Sequence, residues 1–264
     1  MNKPLFKENE LPMAELEKIG LAENGRLKLS SEDKNALLAG GRTELLRLHD
    51  LIADNYRIDQ MDAKVSFARN ATGTVELKLH PIYHEADYPA GLTDLEAQDL
   101  QNGQRVAVYK KLKDQNSAEK EYLFEYDPQT REFIKTDTGK ILVPDLVNGE
   151  TLSEKQRADF RLGKEVQLAD GTQFRYTGVD QNAIRANRLA LIASLLTDGG
   201  ITYMLLQGLK ALDGLRNNSP ESVAFSKGYY KSIEDMKNQE ADLQLGVSDF
   251  EQDKAIGQSR SLKR

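Results

Sequence analysis

The chain writes one phrase three times. "GLTDLEAQDLQNGQRVAV" (91–108) and "GETLSEKQRADFRLGKEVQL" (149–168) align without gaps from Leu92 and Leu152 onward. A weaker copy, "LSSEDKNALLAGGRTEL" (29–45), places Leu29, Ser30, Leu37, Gly40 and Leu45 in the same roles. The shared pattern is L-[ST]-x6-[LF]-x2-G, followed by alternating apolar residues. Each position has a physical reason. Ser30, Thr93 and Ser153 can accept a hydrogen bond from the free N–H groups of a first helical turn. Glu96 and Gln156, three residues on, complete capping boxes, and Asp33 is the poorer equivalent. Leu37, Leu100 and Phe160 supply an inward anchor. Gly40, Gly103 and Gly163 then end the helix in a left-handed conformation that other residues adopt at a cost.

After the glycine, Val106/Val108 and Val166/Leu168 alternate as half-buried strands do. Asp170-Gly171 predicts a hairpin in the third copy, and Asp127-Pro128 a turn in the second. In the first copy, Val65, Phe67 and Val75, Leu77, Leu79 predict two strands around Gly73. The expected fold is therefore α+β: three serial helix-plus-antiparallel-β modules followed by a C-terminal helical segment. The expected boundaries are 1–90, 91–148, 149–181 and 182–243, with a polar, disordered tail at 244–264. The first copy is expected to match the others only in its helix and first strand.

The apolar stretch 189–209, "LALIASLLTDGGITYMLLQGL", is interrupted by Asp198 and the Gly199-Gly200 pair. A membrane helix needs about twenty uninterrupted apolar residues, so the stretch predicts a buried helical hairpin capped from Asp180 or Asn182. Ser219-Pro220 starts a third helix to about Leu243. Residues Leu189, Leu195, Tyr203, Met204 and Leu205 form a candidate partner or self-association face, since the hairpin is more apolar than a surface element needs. The N-terminus has no apolar core of a signal peptide, and a cytoplasmic location is expected.

Chemistry is harder to find. Cysteine is absent, which excludes disulfides, thiolate metal sites and a cysteine nucleophile. His80 and His84 flank Pro81; on an extended chain they stand about 13 Å apart, too far to share one metal. His49 is isolated. No phosphate loop, dinucleotide fingerprint, nucleophile elbow or zinc-protease motif is present. The expectation is no catalytic residue, no cofactor and no metal. The formal net charge of −6 lacks the footprint of a protein that coats nucleic acid. One local exception is Tyr109 beside Lys110, Lys111 and Lys113, where an aromatic on a basic strand could stack a base. Lysines on edge strands more often block unwanted pairing.

"ELPMAELEKIGL" (10–21), the helix ending at Gly40, "LKLHPIYHEADYP" (77–89) and "LSEKQRADFRLGKEV" (152–166) together resemble a family of uncharacterised proteins encoded on conjugative transposons of Bacteroidetes, near topoisomerase and mobilisation genes. The resemblance covers roughly residues 5–180. Met13 stands where the relatives carry an aromatic. The family has no established active site, so no residue inherits a role. The resemblance implies a non-enzymatic accessory or adaptor protein of a mobile element that contacts another protein. Weak nucleic-acid binding during element processing, or an immunity or anti-defence role, are the alternatives.

Overall fold

The computed structural model describes residues 5–53, 56–113, 118–188, 190–197, 200–207 and 225–238. The fold is α+β, with short helices and small antiparallel sheets. A helix α1 (Met13–Lys18) and a hairpin of β1 (Ala22–Glu23) and β2 (Arg26–Leu27) lead into α2 (Ser31–Leu38). The meander β3 (Leu46–Ala53), β4 (Tyr56–Arg69) and β5 (Val75–Pro81) follows. The second module is α3 (Asp94–Gln101) with β6 (Val108–Lys113), β7 (Glu119–Asp127) and β8 (Glu132–Asp137). The third begins with the hairpin β9 (Leu146–Val147) and β10 (Glu150–Thr151), continues in α4 (Glu154–Arg161), and ends in β11 (Val166–Gln167), β12 (Gln173–Tyr176) and β13 (Ile184–Ala186).

The repeated letters do the physical work their chemistry predicts. Ser30, Thr93 and Ser153 cap the three helices through the N–H groups of Asp33, Glu96 and Gln156. Glu96 and Gln156 return the bond to the cap's own N–H, at 2.9 Å in both copies. Asp33 does something else. Its carboxylate accepts from Ser30 Oγ, from the Glu44 N–H and, at 2.6 Å, from Gln181 Nε2. The start of α2 is thereby tied to the connection between β12 and β13 in the third module. Leu37, Leu100 and Phe160 are all buried, and Gly40, Gly103 and Gly163 all have positive φ.

Each module is a helix followed by a complete three-stranded meander, including the first. Its match therefore runs well beyond the helix and first strand expected for it. The third module acquires its last strand from residues 184–186, where a helix start had been read. Two hairpins went unread. Asn24-Gly25 and Asn148-Gly149 each have positive φ at both residues, as the tight turn between twisted strands demands.

The largest correction concerns 189–209. Residues 190–197 and 200–207 are not a helical hairpin but two strands, β14 (Ala190–Thr197) and β15 (Gly200–Gln207), paired antiparallel along eight registers. An apolar run without alternation reads equally as buried strand or helix. The signal in the sequence that favours strands is Asp198-Gly199, a dipeptide typical of two-residue hairpin connections, against the interruption at Asp198 and Gly199-Gly200 expected between two helices. β14 adds to β9, so the sheet runs β10-β9-β14-β15. Leu191 and Ala193 join Val147, Leu152, Phe160 and Phe174 in the third module's core. A last helix, α5 (227–238), agrees with the third helix expected there. Asn148 holds its start through Ser226 Oγ at 3.1 Å. Ser219-Pro220, Leu189 and the expected tail 244–264 lie outside the described residues. Among the described residues, no helix is long and apolar enough to cross a membrane.

Candidate functional site

The three modules converge on buried charge. Lys64 on β4 of the first module donates to Asp127 Oδ2 at the end of β7, 2.7 Å away, and to the Val179 carbonyl beyond β12, at 3.2 Å. One ammonium thus joins all three modules, and its side chain and that of Asp127 are almost fully withdrawn from solvent. The other Asp127 oxygen caps the β7–β8 turn by accepting from the Gln129 N–H. A second ionic group lies between the first two modules. Arg42 donates to Glu132 Oε2 at 2.6 Å, and His80 stands 3.0 Å from the same oxygen with its other nitrogen on Ser66 Oγ. Burial works against the Glu132 charge, but His80 and Arg42 outweigh it and hold the carboxyl at about 2.

Beside this junction a cleft of ≈ 250 Å³ opens between the second and third modules. Arg105, Glu125, Tyr126, Arg175, Thr177 and Arg185 line it, with Val106 half-exposed and Leu100 and Val179 buried. Glu125, on β7, is 1 % exposed, accepts from the Gly178 N–H at 2.6 Å and lies 3.6 Å from Arg175 Nη1. Burial pushes its carboxyl up, against the Gly178 N–H, the Thr177 hydroxyl and the two arginines. Arg185 grips Asp180 with two nitrogens, and Arg105 pairs with Asp99 at 3.1 Å.

The residues singled out in the sequence fall elsewhere. Tyr109, Lys110, Lys111 and Lys113 lie on β6, which among the described residues is an edge strand paired with β7. Lys110 is matched by Glu96 at 2.6 Å and Lys111 by Glu121 at 2.9 Å, while Tyr109 also bonds Glu121. Acidic neighbours therefore neutralise most of the basic strand. Val106 precedes β6 and is 50 % exposed, so it does not share the inward alternation of Val108. His80 enters the ionic group, and His84 is almost fully exposed on the linker. Among the described residues no cluster of side chains is placed to hold a metal ion. Leu195, Tyr203, Met204 and Leu205 lie on the β14–β15 hairpin, and β15 is the outer strand of its sheet.

Lys64, Asp127 and Glu125 were not legible as a group. "AKVSFAR" gives Lys64 the place of an ordinary solvent-facing residue in an alternating strand. Asp127 reads as a turn residue, and only the packing of one module on another buries them. One signal was the cadence "FEYDP", in which the carboxylates Glu125 and Asp127 alternate with the aromatics Phe124 and Tyr126.

A family model described as "Protein of unknown function (DUF4099)" matches residues 6–90, the first module with its leading hairpin. That is shorter than the span of roughly 5–180 over which the resemblance was read. No curated protein and no solved structure matches the chain.

Proposed function

We propose that this is a cytoplasmic, non-enzymatic adaptor that docks another protein, in the service of a mobile genetic element. The element rests on the family resemblance alone. The observation that supports docking is β15. It runs eight residues, "GITYMLLQ", at the outside of a four-stranded sheet, and its outer edge pairs with no strand among the described residues. An edge of this length and polarity is a ready template for strand addition, in which main-chain hydrogen bonds supply affinity. A long apolar edge without a protecting charge is a liability for a chain that has no partner for it. The net charge of −6 and the acid-matched lysines of β6 disfavour nucleic acid as that partner.

The test has two arms. Affinity capture from cells carrying the native element should retain one protein in stoichiometric amount. A titration on single-stranded DNA at physiological salt should show no shift. Tight DNA binding with no protein retained overturns the adaptor reading in favour of nucleic-acid processing.

A further inference from the structure

We infer that Ser66 is a nucleophile that takes an acyl group from an uncharged activated ester, with His80 as its base. Ser66 Oγ stands 2.8 Å from His80 Nε2, and His80 Nδ1 stands 3.0 Å from Glu132 Oε2. A serine, a base within hydrogen-bond reach and a third group that orients the base are the parts of an activated nucleophile. Such a set is recognised by geometry and not by chain order. The sheet explains the arrangement. Across β4 and β5, Ser66 pairs with Lys78 and Lys64 with His80, so serine and imidazole are diagonal neighbours on one face. That face is opposite the one carrying Val65, Phe67, Leu77 and Leu79, which pack in the first module's core. The second module supplies Glu132, at the first position of β8.

The direction of the proton follows from the carboxylate. Glu132 is held at about 2, so near neutral pH it only accepts, and Nδ1 carries the proton of that bond. In the neutral ring Nε2 then holds a lone pair, and the Ser66 hydroxyl donates to it. The chemistry is an acyl transfer. Ser66 Oγ bonds the ester carbonyl carbon, and its proton passes to Nε2. The bond to the leaving oxygen breaks with its electron pair, and Nε2 returns the proton to that oxygen. Ser66 keeps the acyl group as an ester, with nothing oxidised or reduced. The neighbouring cations set the charge of the donor. Arg42 faces Ser66 in an isolated bridge and Lys78 faces it in the ladder, but Glu132 matches Arg42 and Glu76 matches Lys78. No excess charge calls for an anionic donor. Ser66 is half-buried and 12 % of the His80 side chain is exposed, an opening that suits a short acyl group. The site uses no residue of β15 and does not rest on the docking proposal.

The experiment incubates the full chain with p-nitrophenyl acetate and maps acetylated serines by peptide mass spectrometry. Ser66 should react at least about 10-fold faster than the exposed Ser31, since a positioned general base contributes about 10²–10⁴-fold. His80→Gln keeps a hydrogen-bonding side chain but no base, and should remove that advantage while leaving Ser31 unchanged. If this variant unfolds, the parent chain decides. Its rate at Ser66 should follow the His80 titration, read from the imidazole proton signals of the same samples. Equal rates at Ser66 and Ser31, no loss in folded His80→Gln, or a rate that ignores the imidazole titration overturns the inference. Repeated turnover that Ser66→Ala abolishes supports the site and refutes the non-enzymatic reading instead, so the two proposals fail separately.

Discussion

Lys64 Nζ sits 2.7 Å from Asp127 Oδ2 with neither side chain in contact with bulk water, and the pair spans the first and second modules. A buried ion pair adds little stability over an apolar pair, but removing one partner strands the other. Lys64→Met leaves the Asp127 carboxylate and the Val179 carbonyl without their donor. It should cost about 3–5 kcal/mol in urea melts. Lys64→Met with Asp127→Leu should recover most of that loss. Lys111→Met, which breaks the exposed pair with Glu121, should change stability by less than about 1 kcal/mol. Equal costs for Lys64→Met and Lys111→Met would show that the junction is not rigid.

Two glycines in the same repeat position offer a second test. Gly103 and Gly163 both end a helix at positive φ, 72° and 67°. Any L side chain there bears a backbone cost of about 1–2 kcal/mol. A Cβ on Gly103 meets nothing within 4 Å, whereas one on Gly163 would lie 2.8 Å from Leu123 Cδ2 in the neighbouring module. Gly163→Ala should therefore cost about 1–3 kcal/mol more than Gly103→Ala, the added amount being the overpacking against Leu123. Matching melts for the two variants would mean that the second and third modules do not press together there. The anchor beside it, Phe160→Ala, should cost about 3–5 kcal/mol, since the ring is fully buried.

This pair also marks how far the sequence could be read. The local part of the fold was legible because it is written in caps, anchors and stops, which act within a few residues. Ser153, Phe160 and Gly163 were placed correctly from their spacing alone. What failed was long-range. Nothing near Gly163 in the chain says that Leu123 lies over it, and nothing near Lys64 says that Asp127 will bury it. The misread hairpin at 190–207 failed for a different reason. Its apolar run carries no period, and the dipeptide Asp198-Gly199, which favours a hairpin between strands, competes with the reading of Gly199-Gly200 as a break between helices. The candidate cleft was invisible for the long-range reason, because its walls come from two modules.

Acid titration should separate the carboxylates by sign. Glu132 is held at about 2 against an ordinary value of 4.5. Its contribution is present above 4.5 and lost as pH falls through about 2, on the order of 3 kcal/mol in all. Glu132→Gln should thus lower stability at pH 6 and lose its deficit toward pH 2. Glu125 behaves oppositely, because burial raises its carboxyl. The stability it contributes is complete below the ordinary value and declines as pH rises through the raised one. Glu125→Gln should accordingly gain on the parent chain as pH rises. Unfolding midpoints of the three proteins measured across that range would expose a wrong sign in either.

The last prediction concerns the edge of β15. Tyr203 pairs with Ser194 and Met204 with Ala193, both buried on β14. Because neighbouring residues of an antiparallel strand send their N–H groups to opposite sides, one of these two faces β14 and the other faces outward. Proline at each position removes that N–H. One variant should break the ladder to β14 and destabilise the third module, because Leu191 and Ala193 belong to its core. The other should keep the unfolding midpoint within about 1 kcal/mol of the parent, as edge prolines do, and lose the captured partner. If the variant that keeps its stability also keeps its partner, strand addition at β15 is refuted and the contact lies elsewhere on the chain.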